Sequence, residues 1–453
     1  MPTPAPHFVD EILEEIFLRL PTPAALARAS IACPRFRRII TERSFLRRFR
    51  KRHPPPLLGF ADRDGLHPAQ APHPSAPLAR ALADAADFTY SFVPKPSKGR
   101  WIPCDVRDGR VLLEDSLTWN GFSDLAVCDP LSRRHLLLPP IPEDLLTAFP
   151  EERTLETATI LAPIGDGEDE TSFKVICSAD CETNLVAFVF SSLTGQWGIP
   201  ASPSWSSLGT TSRKFPWFGC RGLSCFKYMH GSLYSASPWM DKLLVLDTRT
   251  MEFSTINDGT GYHMQLRLLP GQSDEVLSIN DMPRRKRPGQ NRSLPRIVVG
   301  REGALEMFSL VGDHNPNGSF DLYHTSHQIN REHSEEWQLQ NIIPLPGQYD
   351  YFTLGAAEGF LFLGATTEDQ LDIDEDSLVW LSMTEWDVDY FSLDVRTSEL
   401  ARVCRRRRQF FSFEDVHWEE LVLLLDHGYG YGCHAYDAFE ENWRMDMIVL
   451  QNV

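Results

Sequence analysis

A run of short amphipathic segments at residues 9–40 constrains the fold of this chain most strongly, because prolines fix where each segment ends. The first segment has one continuous apolar face at helical spacing, formed by Val9, Ile12, Leu13, Ile16, Phe17 and Leu20. Pro21 and Pro34 interrupt the pattern, since proline lacks a backbone donor and disfavours a helical conformation in the residue before it. The sequence therefore predicts three short helices and a fourth amphipathic segment with Phe45 and Phe49.

The order of residues in these helices resembles the F-box family. The matching positions are Ile12, Ile16, Leu20, Pro21, Leu26, Arg28, Ser30, Cys33, Arg35, Phe36 and Arg37. Phe8-Val9 replaces the family's usual opening Leu-Pro pair, and Phe36 replaces its usual tryptophan, but both replacements keep apolar bulk. Residues 21–24 and 54–59 are also similar to those of a large set of grass F-box proteins, so a plant-type F-box protein is expected.

The resemblance implies that the chain is the substrate-recognition subunit of a Skp-cullin-F-box (SCF) ubiquitin ligase. It also implies that the helices bind a Skp-type adaptor, and through it a cullin, with contacts from Ile12, Leu13, Ile16, Leu20, Pro21, Leu26, Cys33 and Phe36. The alternative is a helical cap that only covers a larger domain. Three short helices close too little surface to bury all their apolar faces, so we expect a partner to cover the remainder.

Length, charge and cysteine content limit the remaining possibilities. The 453 residues predict two or three folding units, and the net charge of -18 argues against general nucleic-acid binding. Nine scattered cysteines, no apolar leader at residues 1–8 and no run of about 18 apolar residues predict an intracellular protein of the cytoplasm or nucleus, away from membranes.

The composition predicts three regions: a helical domain at residues 7–52, a Pro/Ala-rich linker at 53–86 and a strand-rich domain at 87–453. The resemblance to F-box proteins implies that this last domain is the substrate-binding one. Prolines at 54, 55, 56, 68, 72, 74 and 77 are typical of a semi-rigid connection.

Two short sequence patterns recur after residue 87. In one, an apolar run ends in aspartate and a polar turn follows, at Asp129, Asp247 and Asp394, with looser copies at 188–197 and 435–437. In the other, a turn glycine precedes an apolar run, at Gly109, Gly231, Gly303 and Gly359. Together they predict four-stranded antiparallel units, hence an α + all-β multidomain chain with a β-propeller-like domain.

These patterns also resemble F-box-associated and kelch-like propellers, although the glycine pairs of kelch repeats are absent. A β-sandwich or an irregular all-β domain is the alternative. In a propeller, we expect residues 434–450 to close the ring with strands near 88–93 or 101–106.

The sequence gives no ordered catalytic motif, neither a Gly-x-Ser-x-Gly elbow nor a phosphate-binding glycine loop nor a His-Glu-x-x-His helix. We therefore expect a receptor without catalytic residues, metal or cofactor. Cys220, Cys225 and His230 have loose spacing for zinc, and buried thiols explain the cysteines better. The alternatives are a carbohydrate- or small-ligand-binding propeller and, behind it, a kelch-type oxidase, which would need copper ligands from Tyr, Cys and His.

Tryptophans in stretches rich in Ser, Pro, Gly or acidic residues are the candidates for target binding, since aromatic loop tips are typical anchors. They are Trp205, Trp217, Trp239, Trp337 and Trp386. Three charged runs have less specific interpretations. Residues 284–287 are either a nuclear import signal or a surface loop, residues 405–408 follow a predicted hairpin, and residues 368–376 form an acidic stretch that is typically solvated.

Overall fold

The computed structural model describes most of the chain. Its described residues are 9–21, 23–53, 56–62, 64–107, 109–115, 123–146, 157–162, 172–181, 183–209, 227–229, 232–235, 242–257, 296–299, 305–312, 320–329, 335–357, 359–367, 383–411 and 448–449. The chain divides between Pro56 and Leu57 into two compact units, which we describe separately.

The first unit contains four helices: α1 (Asp10–Leu18), α2 (Pro23–Ala32), α3 (Pro34–Ile40) and α4 (Arg43–Arg52). The predicted breaks are confirmed, and the start of α3 shows why one of them forms. Cys33 caps that helix, because its sulfur accepts the backbone N–H of Phe36 at 3.4 Å. Pro34 occupies the first turn, where no intrahelical donor is needed. The core of the unit is formed by Leu13, Phe17, Leu18, Leu26, Ile39, Ile40, Phe45 and Phe49.

Among the described residues, the second unit is a β-propeller of five four-stranded blades. The recurring sequence patterns predict the four-stranded units and the propeller-like arrangement but not the number of blades. Blade 1 contains β3 (Trp101–Arg107), β4 (Arg110–Asp115), β5 (Leu125–Asp129) and β6 (Arg134–Leu137), and a short helix, α6 (Glu143–Leu146), follows it. Blade 2 contains β7 (Thr157–Ala162), β8 (Lys174–Asp180), β9 (Leu185–Ser191) and β10 (Gln196–Ala201). Blade 3 contains β11 (Lys227–Met229), β12 (Ser232–Ser235), β13 (Lys242–Asp247) and β14 (Glu252–Asn257).

Blade 4 contains β15 (Arg296–Val299), β16 (Leu305–Gly312), β17 (Phe320–Ile329) and β18 (Glu335–Pro344). Blade 5 contains β19 (Tyr349–Ala357), β20 (Phe360–Thr367), β21 (Met383–Asp394) and β22 (Glu399–Phe411). Each blade is an antiparallel meander in sequence order. First strands of successive blades contact each other, β3 with β7, β11 with β15 and β15 with β19, so the blades follow one another around a ring.

Strands in the middle of a blade bury both of their faces, because alternate side chains point to opposite neighbours. In β4, Val111 and Leu113 pack toward blade 5, whereas Leu112 packs toward blade 2. In β9, Val186 and Phe188 pack toward blade 1, and Ala187 packs toward blade 3. The core of the propeller is therefore a series of layers between blades, which is the reason for the near-continuous apolar runs in the sequence.

The predicted aspartate hairpins join the third and fourth strands of blades 1, 3 and 5. In blade 3, the carboxylate of Asp247 accepts the backbone N–H of Arg249 at 2.8 Å and of Thr250 at 3.0 Å. The last turn residue, Met251, then has a left-handed backbone with φ of 58°. Asp129 and Asp394 likewise accept the backbone N–H groups of the residues two and three positions after them. The same aspartate turn therefore joins the third and fourth strands in three of the blades.

The ring is closed by a three-stranded sheet of β1 (Gly59–Asp62), β2 (Gly65–Pro68) and β23 (Ile448–Val449). Phe60 pairs with His67 on one side and with Val449 on the other. The sheet packs between blade 5 and blade 1, since β2 contacts β22, and both β1 and β23 contact β3. The C-terminal strand thus adds to β1 and only contacts β3. Residues 434–447 of the predicted closing segment lie outside the described residues.

The stretch from 57 to 86 differs from the linker that its composition predicts. It contains β1, β2 and the helix α5 (Ala76–Ala85), and it contributes Leu57, Phe60, Ala79 and Leu82 to the core of the second unit. Its prolines lie at the end of β2, in the loop after it and in the first turn of α5, so they separate elements without preventing them. The backbone N–H of His53 donates to the carbonyl of Phe49 in the first unit, and Leu57 is already buried in the second. The stretch between these two residues, 54–56, is therefore much shorter than the predicted linker at 53–86.

Candidate adaptor-binding surface

Helix α1 divides its apolar residues between two sides. Leu13 and Phe17 are buried in the core of the first unit, and Leu18 joins them there. Ile12 and Ile16, one helical turn apart, each leave 46% of their surface exposed, and Val9 leaves 54% exposed. At 100° per residue, Ile12 and Ile16 lie on the side opposite Asp10 and Glu14. The continuous face that the sequence predicts is therefore split into an internal half and an external half.

The predicted adaptor-binding residues fall into three groups in the structure. Ile12, Ile16 and Pro21 are exposed, Leu20, Cys33 and Phe36 are half-buried, and Leu13 and Leu26 are buried in the core. The two buried residues belong to the core of the unit and are not accessible to a partner in this structure. Leu20 and Phe36 pack against the same core, where the Phe36 ring meets Phe17 edge to face with centroids 5.0 Å apart.

The predicted adaptor contacts omit two exposed apolar residues: Val9, which the sequence does place on the apolar face of the first helix, and Ile31. Ile31 is 82% exposed near the end of α2. Its place on the helix could have revealed it, because Leu26 and Ala29 lie on the core side of α2 and a residue five positions after Leu26 points away from that side. An isolated exposed isoleucine needs no explanation, but here it belongs to a small unit with three more exposed apolar residues.

Ion pairs hold the internal side of α1 against α3 and α4. Asp10 binds Arg35 and Arg38 of α3, at 2.6 and 2.8 Å between nitrogen and oxygen. Glu14 lies 2.5 Å from Arg48 of α4, and Glu15 lies 3.1 Å from the same guanidinium. The hydrogen bond from Arg35 holds the pKa of Asp10 below its usual value. The orientation of α1, and with it the exposure of Ile12 and Ile16, thus has ionic as well as apolar support.

The structure places the candidate tryptophans of the propeller away from the expected loop tips where it describes them. Trp205 is buried between blades 2 and 3, and its indole N–H donates to the carbonyl oxygen of Cys181 at 2.9 Å. Trp337 lies in strand β18 opposite His327, and Trp386 lies in strand β21 opposite Arg408. Trp217 and Trp239 lie outside the described residues.

The two faces of the propeller differ in the connections that their strand ends carry. On one face, which we name the turn face, first strands join second strands and third strands join fourth strands, mostly by short turns. On the opposite loop face, second strands lead to third strands and fourth strands lead to the next blade. The longest connections that follow a blade strand start from the loop face, at residues 138–156, 202–226, 258–295, 368–382 and 412–447.

The other candidates from the sequence find local explanations or lie outside the description. The Nη2 of Arg405 lies 2.5 Å from Oδ2 of the buried Asp389. Arg406 forms ion pairs with Asp62 and Asp64 at the β1–β2 hairpin of the closing sheet. Arg405 and Arg406 of the 405–408 run therefore form intramolecular ion pairs.

Cys220, Cys225, His230 and the basic run at 284–287 lie outside the described residues. Within the described part of the chain, no group of His, Cys, Asp and Glu is arranged to hold a metal ion, and no helix is long and apolar enough to cross a membrane.

Comparison with known proteins identifies the first unit. Residues 6–48 match the family described as the F-box domain. No curated protein matches the chain. Solved structures give only distant likenesses. An exo-1,5-alpha-L-arabinanase from a bovine ruminal metagenomic library is 12% identical, with 68% of this chain and 94% of that chain covered, at a TM-score of 0.25. A post-proline cleaving enzyme from Rickettsia typhi is 8% identical, with 70% and 47% covered, at a TM-score of 0.27.

Those two likenesses are too distant to carry a functional argument. The fold defines a protein with a small helical domain followed by a larger β-domain. In particular, the chain has an N-terminal helical F-box followed by a β-propeller of five blades.

Proposed function

We propose that this chain is the substrate-recognition subunit of an SCF ubiquitin ligase, in which the F-box binds a Skp-type adaptor and the propeller binds a target protein. The observation that supports the proposal most directly is the exposed apolar side of α1, formed by Val9, Ile12 and Ile16, within a region that matches the F-box domain. F-box domains bind Skp-type adaptors, and a cullin joins through the adaptor.

The exposed side of α1 has the physical character of an interface. Covering the remaining exposed surface of each isoleucine would contribute about 1 kcal/mol, and a contiguous set of three apolar side chains would contribute more. The ion pairs on the opposite side of the helix fix its orientation, so little ordering is needed when a partner binds. A preformed apolar surface of this kind favours tight docking of a complementary groove or helix.

The loop face of the propeller is our proposed target-binding surface. Its strand ends carry the longest connections of the second unit, and binding residues commonly lie on loops that a rigid scaffold positions. Trp217 belongs by sequence to one of these connections, residues 202–226, and Trp239 belongs to the shorter loop-face connection at 236–241, whereas Trp205 has an internal role. We therefore keep Trp217 and Trp239 as the leading candidates, with Trp386 behind them.

In this proposal the chain contributes no ubiquitin chemistry, because the other subunits of the ligase perform it. The grass-like residues around the F-box support a plant origin, and the repeated aspartate hairpins support a kelch-like type of propeller. We propose an intracellular location, in the cytoplasm or nucleus, where the adaptor and cullin would be available.

Adaptor binding by the purified full chain tests the proposal. We expect Ile12→Glu with Ile16→Glu to abolish binding of a purified Skp-type adaptor, because two carboxylates would enter an apolar interface. The matched control is Leu193→Glu with Leu339→Glu, which changes two exposed leucines of the propeller. The control should bind like the unmodified chain. Failure of the unmodified chain to bind, or full binding by the α1 variant, would overturn the proposal.

A further inference from the structure

Helix α1 starts without the usual side-chain cap. Its N-cap residue is Val9, which has no oxygen to accept the free amides of the first turn. The first intrahelical bond, from the N–H of Leu13 to the carbonyl of Val9, is 3.2 Å long. A helix end of this kind tends to fray, and here the end carries part of the exposed apolar surface, since Val9 and Ile12 belong to it.

Hydrogen bonds from helix α3 to Asp10 hold this first turn in place of a side-chain cap. Oδ1 of Asp10 accepts from Nε of Arg35 at 2.8 Å, and its Oδ2 accepts from Nη2 of Arg38 at 2.8 Å. Both carboxylate oxygens are therefore bonded to helix α3, which is anchored in the core by Ile39 and Ile40. The bonds join residues 25 and 28 positions apart, so they tie the first turn of α1 to a different helix.

Asp10 and the exposed apolar side of the first turn lie on opposite sides of the helix. Ile12 is rotated by about 200° from Asp10, while Glu14, which binds Arg48, is rotated by only about 40°. Contacts at Asp10 therefore determine how the first turn is rotated and which side faces outward.

We propose that Asp10 is a positioning residue for adaptor binding: by binding Arg35 and Arg38, it holds the first turn of α1 so that Val9 and Ile12 are presented to the adaptor. The inference rests on the proposed function, because it concerns the same surface. Asp10 itself contacts α3 and acts through the orientation of the turn.

The expected effect follows from the fraction of molecules in which the first turn is ordered. Exposed ion pairs are individually weak, so their loss should leave the fold of the unit intact. The apparent dissociation constant rises in inverse proportion to the ordered fraction. We expect Asp10→Asn to weaken adaptor binding by about three- to tenfold.

The test measures adaptor affinity of the full chain by titration calorimetry. Glu11→Gln is the matched control, because Glu11 is the neighbouring exposed acid of the first turn and has the same favourable position at the helix N-terminus. Arg35→Met with Arg38→Met removes the partners while keeping apolar stems. Asp10→Asn and this double variant should each weaken binding, and their combination should weaken it no further, since all three residues form one contact.

A second measurement separates positioning from a general loss of stability. Amide hydrogen exchange at Leu13, whose N–H bonds to Val9, should become faster in Asp10→Asn while the thermal melt stays unchanged. Equal affinity of Asp10→Asn and the unmodified chain would overturn the inference and leave the proposed function standing. Equal weakening by Glu11→Gln would also overturn it, because the helix end charge would then be the cause. If the unmodified chain binds no adaptor, the proposed function fails first.

Discussion

The helical unit and the propeller treat apolar side chains in opposite ways. Strand β9 of the propeller buries both of its faces, with Phe188 packed toward one neighbouring blade and Ala187 toward the other. Helix α1 buries Leu13 and Phe17 on one side and leaves Ile12 and Ile16 exposed on the other. Both elements are rich in apolar residues in the sequence. The difference lies in whether the rest of the chain supplies a second packing partner.

This contrast shows which unit is complete without a partner. In the second unit, strands β1 and β2, which precede the first blade, and strand β23 near the C-terminal end form the sheet that packs between blades 5 and 1. The four helices of the first unit have no such additional segment among the described residues, and an apolar surface remains. We therefore expect stability to depend on the closing sheet and binding to depend on α1.

Phe60→Ala should produce the largest change in stability. Phe60 is fully buried in the closing sheet, where its ring lies 5.4 Å from that of Phe362 and 5.8 Å from that of Tyr390 in blade 5. Removing such a ring should lower the free energy of unfolding of the second unit by about 3–5 kcal/mol. Denaturant unfolding followed by tryptophan fluorescence measures the change. Leu78→Ala, at an exposed position of α5, is the control and should have little effect. An unchanged Phe60→Ala midpoint would mean that residues 57–62 behave as a linker after all.

Asp247→Ala should have a smaller effect that depends on pH. The backbone amides of Thr250 and Arg249 hold the pKa of Asp247 below its usual value. The ionised side chain therefore stabilises the hairpin above about pH 3.8, and this contribution is lost as the pH falls through the lower folded-state pKa. At pH 7 the alanine variant should lose about 0.5–1.5 kcal/mol of unfolding free energy.

Asp247→Asn is the matched control for that pH dependence. Its side-chain oxygen can still accept the two amides, but it does not titrate, so the turn should persist with a flatter acid profile. If Asp247→Ala and Asp247→Asn have the same unfolding free energy as each other at pH 7, and again at pH 3, the hydrogen bonds of the aspartate hairpin do not contribute to propeller stability.

Local patterns predicted the helix breaks and the blade hairpins because single residues determine them. Pro34 and the sulfur of Cys33 set the start of α3, and Asp247 and its two amides set a hairpin. The turn glycines at 109 and 359 also precede the second strands of their blades, as expected. These features depend on neighbours in sequence, so a sequence is sufficient to find them.

Features that depend on distant contacts were not predictable in the same way. The burial of Phe60 depends on blade 5, about 300 positions later, and Trp205 finds its hydrogen-bond acceptor in another connection of the propeller. Helix α5 did have a usable signal, since its alanines favour a helix and Ala76, Ala79 and Leu82 recur at a spacing of three. The split of α1 into two sides depends on where α3 and α4 pack, which periodicity leaves open.

Amide hydrogen exchange of the full chain, with and without a Skp-type adaptor, tests the central contrast most directly. We predict slower exchange in α1 on binding, with unchanged exchange in blade strands such as β4, β9 and β20, because the propeller strands already have their partners. Protection in the blade strands with α1 unchanged would contradict the account. So would an adaptor complex that protects neither unit.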